Sequence, residues 1–510
     1  MDLVGARVLL RSGLLKPARP DQLLGMALAV ARWGITPATG YAAGAARHPR
    51  RPAIIDDQGV LTWREVDRRT DRMASALRER GLREGVVVGL LARNGRGFVE
   101  SAVALAKCGA DVIYLHTGTS PSQLADVLRR EQAAAVLVDE ALEPTLPELP
   151  GVLRLTPEQL AACADRSGGG APPKPSHASR QVILTSGTTG APRGAARSGA
   201  SIDDAVAMLS RIPLRAGGTT VIAAPVFHAW GLGNLSLAML LGSAVVLQST
   251  FDAKRVLQAV QDHQATALVV VPVLLERLLE ADPTLYDRSA LTVIASSGSA
   301  LGGDLPQRVE AAFGPVLYSL YGSTEVAYAA VAGPDDLRAD PRTAGRPPHG
   351  VTLRVVDDAG QDARPGVVGR IFVGSGLAFT GYTDGSDKDR LGALVATGDL
   401  GMHDTDGRLT VLGRTDDMVV IGGENVYVGR VEDALREHHG VLDVSVVGVP
   451  DPVFGSKLVA YVVASAPIEV EQLKDLVRSR LSRIAAPREV IFVSDLPRNA
   501  AGKVVKRELR

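Results

Sequence analysis

The chain has 510 residues, of which 46% are apolar, 22% charged and 4% aromatic. That length exceeds one hydrophobic core and calls for roughly two to four packed units. Lysine plus arginine and aspartate plus glutamate both number 56, so the basic excess and aromatic platforms of a nucleic-acid binder are missing.

The first fifty residues mix Leu, Val and Ala with Arg7, Arg11, Lys16, Arg19, Arg32, Arg47, Arg50 and Arg51. The stretch Leu23 to Pro37 is interrupted by Arg32 and ends at Gly34 and Pro37. It falls short of the ~20 residues of a membrane span and lacks a secretory cleavage pattern. A helical cap packed on the main body is the preferred reading, and helices lying on a membrane surface are the alternative. From Ala53 onward, apolar runs alternate with helical patterns. Strands are predicted at Val86–Leu91, Asp111–Leu115 and Ala134–Val138, with helices at Phe98–Lys107 and Gln123–Arg130. The runs are continuous, as in α/β sheets buried on both faces. The pattern resumes at Gln181–Leu184, Val221–Ala224, Ala244–Leu247, Ala267–Val271 and Thr292–Ser296. Between the two blocks, Arg166 to Arg180 is rich in Ser, Gly, Pro and Lys and reads as a mobile surface loop. Beyond Gly413, helices at Val431–His438 and Val470–Leu481 and strands at Val441–Val449, Leu458–Ala464 and Val490–Val493 make a small α+β unit. The two cysteines, Cys108 and Cys163, are too few and too far apart for a disulfide framework or zinc site, which fits a reducing, cytoplasmic address.

Chemistry concentrates in short polar turns. Thr185-Ser-Gly-Thr-Thr-Gly-Ala-Pro-Arg-Gly194 places three glycines and four hydroxyls in ten positions. Such a string suits a backbone that wraps an anion with N–H groups and hydroxyls. The spacing of the common nucleotide P-loop is absent. Read alone, the string could also be a flexible turn.

The string resembles the phosphate loop of the adenylate-forming superfamily, which includes acyl-CoA synthetases, luciferases and peptide-synthetase adenylation domains. Arg193 stands where that family usually has lysine. Further motifs follow in the family's order. Pro225-Val-Phe-His-Ala-Trp-Gly231 is similar to the segment bordering the acyl tunnel, which makes Phe227, His228, Trp230 and Gly231 the expected substrate pocket. Ser297-Gly-Ser-Ala300 matches the segment along the adenine, with Gly298 and Ser299. In Tyr321-Gly-Ser-Thr-Glu325 the resemblance implies Tyr321 stacked on adenine, Gly322 beside it, Thr324 on a phosphate and Glu325 on Mg²⁺, with Thr185 as hydroxyl partner for the metal. Thr397-Gly-Asp399 and Gly413-Arg-Thr-Asp-Asp417 imply Asp399 and Arg414 on the ribose and a hinge at Asp416. Gly422 and Gly423 resemble the loop that passes the pantetheine of CoA; Val428-Gly-Arg430 then replaces the family's usual Pro-x-Glu. Pro497-Arg-Asn-Ala-Ala-Gly-Lys503 matches the motif of the catalytic lysine.

The resemblance implies an α/β fold with a large N-terminal domain of sheets and helices and a small mobile α+β C-terminal domain. The expected division is 1–52 as a helical extension, 53–413 as the adenylation domain and 414–510 as the small domain. It also implies an AMP-forming acyl-CoA synthetase using ATP, Mg²⁺ and coenzyme A. Lys503, His228 and Glu325 would be the catalytic residues, and Ser186, Gly187, Thr188, Thr189, Gly190 and Arg193 would join Thr185 around the phosphates. The N-terminal composition and the segment GLLARNGRGF resemble bacterial fatty-acid CoA ligases, which points to a hydrophobic acid, fatty or bulky alicyclic. Peripheral membrane contact and a homodimer are compatible with the resemblance. The alternatives are an acyl-AMP ligase loading a carrier protein, against which the compact stretch from Glu325 to Thr397 is weighed, and a non-catalytic acyl or nucleotide sensor.

Overall fold

Short apolar strands joined by helical crossovers return the chain in parallel, and that builds the two sheets carrying the site. The computed structural model describes residues 2–509 except 168, 169, 177, 178, 186–192, 197–200, 358, 384, 416, 422, 423, 453 and 499–503; at 164–167, 185, 193, 196 and 425 only the backbone is described. In the first sheet, Leu153–Leu155, Ala135–Val138, Val87–Leu91, Asp111–Tyr114 and Gln181–Thr185 lie side by side in parallel, and Arg193–Ala196 and Gly381–Tyr382 close one edge antiparallel. The second sheet runs Ala330–Ala332, Leu317–Tyr321, Val293–Ser296, Ala267–Val270, Thr219–Ile222, Ala244–Leu247, Pro52–Asp56 and Gly59–Thr62, with its six inner strands parallel. Both families of parallel strands end in the loops singled out from sequence, the usual place for a ligand in α/β sheets.

One contiguous core spans both sheets, from Tyr41 to Leu337. Helix Arg96–Cys108 lies within it, buried at every position from Phe98 onward. Its two buried charges are met: Arg69 holds Glu100, and Lys107 Nζ reaches Asp67 at 2.7 Å and Asp71 at 2.6 Å. Such pairing is what burial of a charge requires. Helix Trp63–Glu79 starts at a capping box in which the Glu65 amide donates to Thr62 Oγ1 and the Thr62 amide to Glu65 Oε2.

A third, antiparallel sheet joins Thr352–Val356, Gly369–Gly374, Leu394–His403 and Arg390–Leu391, with Leu409–Arg414 paired to Leu394–His403. The small C-terminal unit has its own core, formed between Val419 and Val490. Strands Val441–Asp451, Gly455–Ala464 and Glu489–Phe492 form its sheet, and helices Val428–Arg436 and Val470–Arg480 pack there. A hairpin of Met418–Ile421 and Glu424–Tyr427 precedes it. Its pattern is too short to read from sequence. Helix Pro157–Ser167 takes in the first two residues of the surface loop expected over 166–180, so that loop begins later than composition suggests. The loop is also tied down: Ser176 is held by Glu84, and the Pro172 carbonyl accepts from Arg32 Nη2 at 2.5 Å.

Helices Leu3–Ser12, Pro20–Trp33 and Pro37–Arg47 occupy the N-terminus and pack on this body. Among the described residues no helix is long and apolar enough to cross a membrane.

Candidate active site

The Pro225–Gly231 turn follows Thr219–Ile222 and ends with His228 as N-cap of helix Ala229–Leu240. Asn94, from the other sheet, clamps it. The Asn94 side-chain amide donates to the Ile222 and Ala224 carbonyls at 3.2 and 3.0 Å, and its Oδ1 accepts from the Val226 amide at 2.9 Å. Trp230 Nε1 donates to the Val270 carbonyl at 2.9 Å, fixing the indole to the end of the adjacent strand. A Cβ at Gly231 would lie 2.2 Å from the Pro225 carbonyl oxygen, so only glycine fits there. The His228 ring is tilted against Phe227, centroids 4.7 Å apart, and against His116 at 4.1 Å.

Sequence reasoning missed Asn94 and His116. His116 follows Asp111–Tyr114 and hydrogen-bonds the backbone of Leu184, next to Thr185. Burial pushes its pKa down to about 4, so it is neutral at pH 7. Its Nε2 is buried with no hydrogen-bond partner among the described residues. An unfolded histidine protonates near 6.5, so the unfolded state binds the extra proton first as pH falls. Stability contributed by neutral His116 is therefore full above that value and drains towards pH 4. Denaturant titrations should show about 2 kcal/mol less stability from this group at pH 5 than at pH 7. His116→Asn should flatten that slope.

On the nucleotide side, Ser297 Oγ donates to the Leu320 carbonyl at 2.9 Å and joins two of the loops. Gly298 has φ +101° and Ser299 is exposed. Tyr321 OH donates to Asp399 Oδ2 at 2.5 Å, and Arg414 Nη1 lies 3.6 Å from Asp399 Oδ1. Burial, then Asp399, raises the Tyr321 phenol far above its ordinary range, so it stays a donor. Gly322 has no room for a side chain, since a Cβ would sit 2.2 Å from the Ala327 carbonyl oxygen. Thr324 is half-buried beside it.

Glu325 is buried and still ionised. Burial is the largest influence and opposes its charge, but Lys388, then Tyr382 and Ser323, together hold its pKa below the ordinary range. Tyr382 OH donates to Glu325 Oε1 at 2.5 Å, Lys388 Nζ stands 3.9 Å from the same oxygen, and that ammonium donates to the Thr397 carbonyl at 3.0 Å. Tyr382 and Lys388 were not legible from sequence either. Arg414 also reaches the Thr397 carbonyl, at 3.4 Å. One network thus runs Tyr382–Glu325–Lys388–Thr397–Arg414–Asp399–Tyr321. Strand Gly381–Tyr382 pairs with Arg193–Ala196, and Thr185 and Arg193 are register partners across the phosphate-loop hairpin. The hairpin's backbone is therefore tied to Glu325 and, through Leu184, to His116.

Ser186, Gly187, Thr188, Thr189, Gly190, Asp416, Gly422, Gly423 and Lys503 lie outside the described residues, as do the side chains of Thr185 and Arg193. Arg430 is exposed in the first turn of Val428–Arg436, which forms without a side-chain cap.

Residues 41–383 match the AMP-binding enzyme family, and 430–503 match the AMP-binding enzyme C-terminal domain. The chain belongs to the AMP-binding enzymes. Its relatives include an indoleacetate–CoA ligase of Aromatoleum aromaticum, 31% identical over 91% of this chain and 95% of that protein. A fatty acid–[acyl-carrier-protein] ligase of Streptomyces coeruleorubidus is 28% identical over 91% and 94%. Among solved structures, the O-succinylbenzoate coenzyme A synthetase of Bacillus subtilis, in complex with ATP and magnesium ion, superposes with TM-score 0.82 at 26% identity over 92% and 98% of the two chains. The large and small domains of this AMP-binding enzyme are those of that fold. The carrier-protein ligase aligns over nearly its whole length, so the compactness of Glu325 to Thr397 does not separate carrier-protein loading from CoA transfer.

Proposed function

We propose that this AMP-binding enzyme is an ATP-dependent acid–thiol ligase that activates a hydrophobic carboxylic acid as its acyl adenylate and passes the acyl group to coenzyme A. The observation that carries the reading is the single network from Tyr321 and Asp399 to Glu325, tied by backbone pairing to the phosphate-loop hairpin. A carboxylate is a poor acyl donor because oxide would have to leave. In the first step its oxygen attacks the α-phosphorus of ATP, the bond to the β-phosphate oxygen breaks, and pyrophosphate departs. Two anions must meet, so positive charge and positioning do the work.

Asp399 is suited to accept from the ribose hydroxyls, with Arg414 beside it and Tyr321 against the base. Glu325 fits Mg²⁺: it is a buried ionised carboxylate, and no group of three His, Cys, Asp or Glu side chains forms a metal cage among the described residues. One carboxylate plus substrate phosphates is a common donor set for that ion. Bound there, Mg²⁺ would neutralise phosphate charge. Thr185, at the start of the phosphate-loop hairpin, is proposed as its hydroxyl partner. Arg193 supplies charge at the distal phosphates, and Lys503 supplies it between carboxylate and α-phosphate. In the second step the small domain turns about Asp416 and Gly422 and Gly423 line the thiol's passage. The CoA sulfur then attacks the acyl carbon, the bond to the phosphate oxygen breaks, and AMP leaves as the thiol proton passes to solvent.

The acid is proposed to lie along Phe227, His228 and Trp230, with Gly231 closing the turn that carries them. A fatty or bulky ring acid fits this apolar lining. The relative acting on a carrier protein favours one second reading, an acyl-AMP ligase delivering to such a protein. A panel of fatty, aryl and alicyclic acids, each assayed with CoA and with a phosphopantetheinylated carrier protein, tests both. Thioester on CoA with at least one hydrophobic acid is expected, and thioester on the carrier alone would replace the first reading by the second.

The Arg193 role has its own test. Charge-assisted contacts of this kind are worth roughly 1.5–3 kcal/mol, so Arg193→Ala should lower kcat/KM for ATP about ten- to a hundredfold. Arg193→Lys should keep most of it, and an unchanged ATP dependence in the alanine variant would remove Arg193 from the site.

A further inference from the structure

Large apolar side chains left in solvent are spread unevenly over this molecule. Among the described residues, nine of the twenty such side chains fall between Leu3 and Ile35, and Leu3 is 90% and Leu24 62% exposed. Scattered singly they would need no explanation, but a concentrated set marks an interaction surface. Helix Pro20–Trp33 shows why they are outside. Its inner edge is Gln22, Gly25, Ala29 and Trp33. Gln22 Nε2 donates to the Arg47 carbonyl, and Gly25 packs so tightly on Ala46 that a Cβ would lie 2.8 Å from it. The helix is thereby fixed on Pro37–Arg47, and its opposite face presents Leu24, Ala27, Leu28 and Ala31 to solvent at helical spacing. From Gln22 to Ala31 there is no charged residue, and arginines stand at both ends, Arg19 and Arg32.

The preceding helix, Leu3–Ser12, adds charge. It is anchored by the Ala216 amide donating to the Ser12 carbonyl and by His349 on Asp2. Arg7 and Arg11 are exposed along it with Leu3 and Leu10, and Lys16 follows in the connection. Residues 2–35 hold five basic and two acidic side chains in a chain whose total charge is balanced. The two carboxylates are spoken for, Asp21 by Arg19 and Asp2 by the Gly5 amide and His349.

We propose that this N-terminal face docks in the plane of an anionic phospholipid bilayer, with the leucines of Pro20–Trp33 in the headgroup–acyl boundary and Arg7, Arg11 and Lys16 on lipid phosphates. An apolar helix face flanked by basic side chains is the composition such surfaces bind. A second copy of the chain fits less well, because a two-fold interface would set the same basic residues against each other. Helix packing joins the proposed acyl site to the docking face. Helix Pro37–Arg47, under it, packs on Ala229–Leu240 with Gly40 against Met239, and Ala229–Leu240 is the helix that His228 starts.

Flotation with phosphatidylcholine vesicles, with and without phosphatidylglycerol, tests the proposal on the full chain. Wild type should float with the anionic vesicles and much less with the neutral ones, and added salt should weaken it. Leu24→Glu with Leu28→Glu should abolish flotation while the melting temperature and turnover of a water-soluble acid stay unchanged. Arg7→Glu with Arg11→Glu should weaken binding about tenfold or more. No binding of wild type to anionic vesicles, or binding unaltered by the leucine changes, would overturn the proposal. So would a dimer in light scattering that the leucine changes dissolve, since a second copy would then cover this face.

Discussion

Replacing Lys503 by alanine is expected to lower acid-dependent pyrophosphate release by several orders of magnitude and to spare the second half-reaction. The ammonium is proposed to be needed only while negative charge builds between the carboxylate and the α-phosphorus, so its loss falls on that transition state. The residues around it belong to the small domain: Arg498 bridges to Val504 and pairs with Asp443, and Lys506 Nζ lies 3.1 Å from Glu432. A turn of that domain would carry Lys503 away with it. The variant, given a pre-made acyl adenylate and CoA, should therefore still form thioester at a substantial rate. Asp416→Pro should do the opposite, keeping adenylation and blocking thioester formation. Equal damage to both half-reactions in Lys503→Ala would make the lysine a structural residue.

The second large effect is expected at Glu325. Glu325→Gln preserves shape and removes a charge that Lys388 and Tyr382 hold ionised in a buried position. Pyrophosphate release should fall about a hundred- to a thousandfold, the range for losing a preorganised electrostatic contact, and the Mg²⁺ concentration needed for half-maximal rate should rise. Lys388→Met removes the nearest cation to the carboxylate among the described residues, so the Glu325 pKa should rise. Activity should then fade at a higher pH than in wild type as the solution is acidified, because the proton that neutralises Glu325 binds sooner. If Glu325→Gln keeps both the rate and the Mg²⁺ dependence, the carboxylate serves the fold alone.

Local strings carried the sequence reading far. The continuous runs at 87–91, 111–114 and 135–138 were legible because strands buried on both faces have no alternation to confuse them. The string after Gln181–Leu184 was legible because three glycines and four hydroxyl residues crowd into ten positions. Residues that act through distant partners were not. Asn94 lies 132 positions from Val226, whose amide it holds, and His116 and Lys388 look like ordinary loop residues until the sheets bring them beside His228 and Glu325. Sheet order was hidden for the same reason: Pro52–Asp56 pairs with Ala244–Leu247 across nearly two hundred residues. The N-terminal helices were legible as helices, but their outward leucines were not, since periodicity does not tell which face of an apolar helix is covered.

The acid's carboxylate oxygen is proposed to attack the α-phosphorus of ATP, and an isotope label follows that oxygen directly. With an acid carrying ¹⁸O at both carboxylate positions, ATP, Mg²⁺ and CoA, one ¹⁸O is expected in each AMP released and the other in the thioester. Unlabelled AMP, or ADP and phosphate in its place, would contradict it.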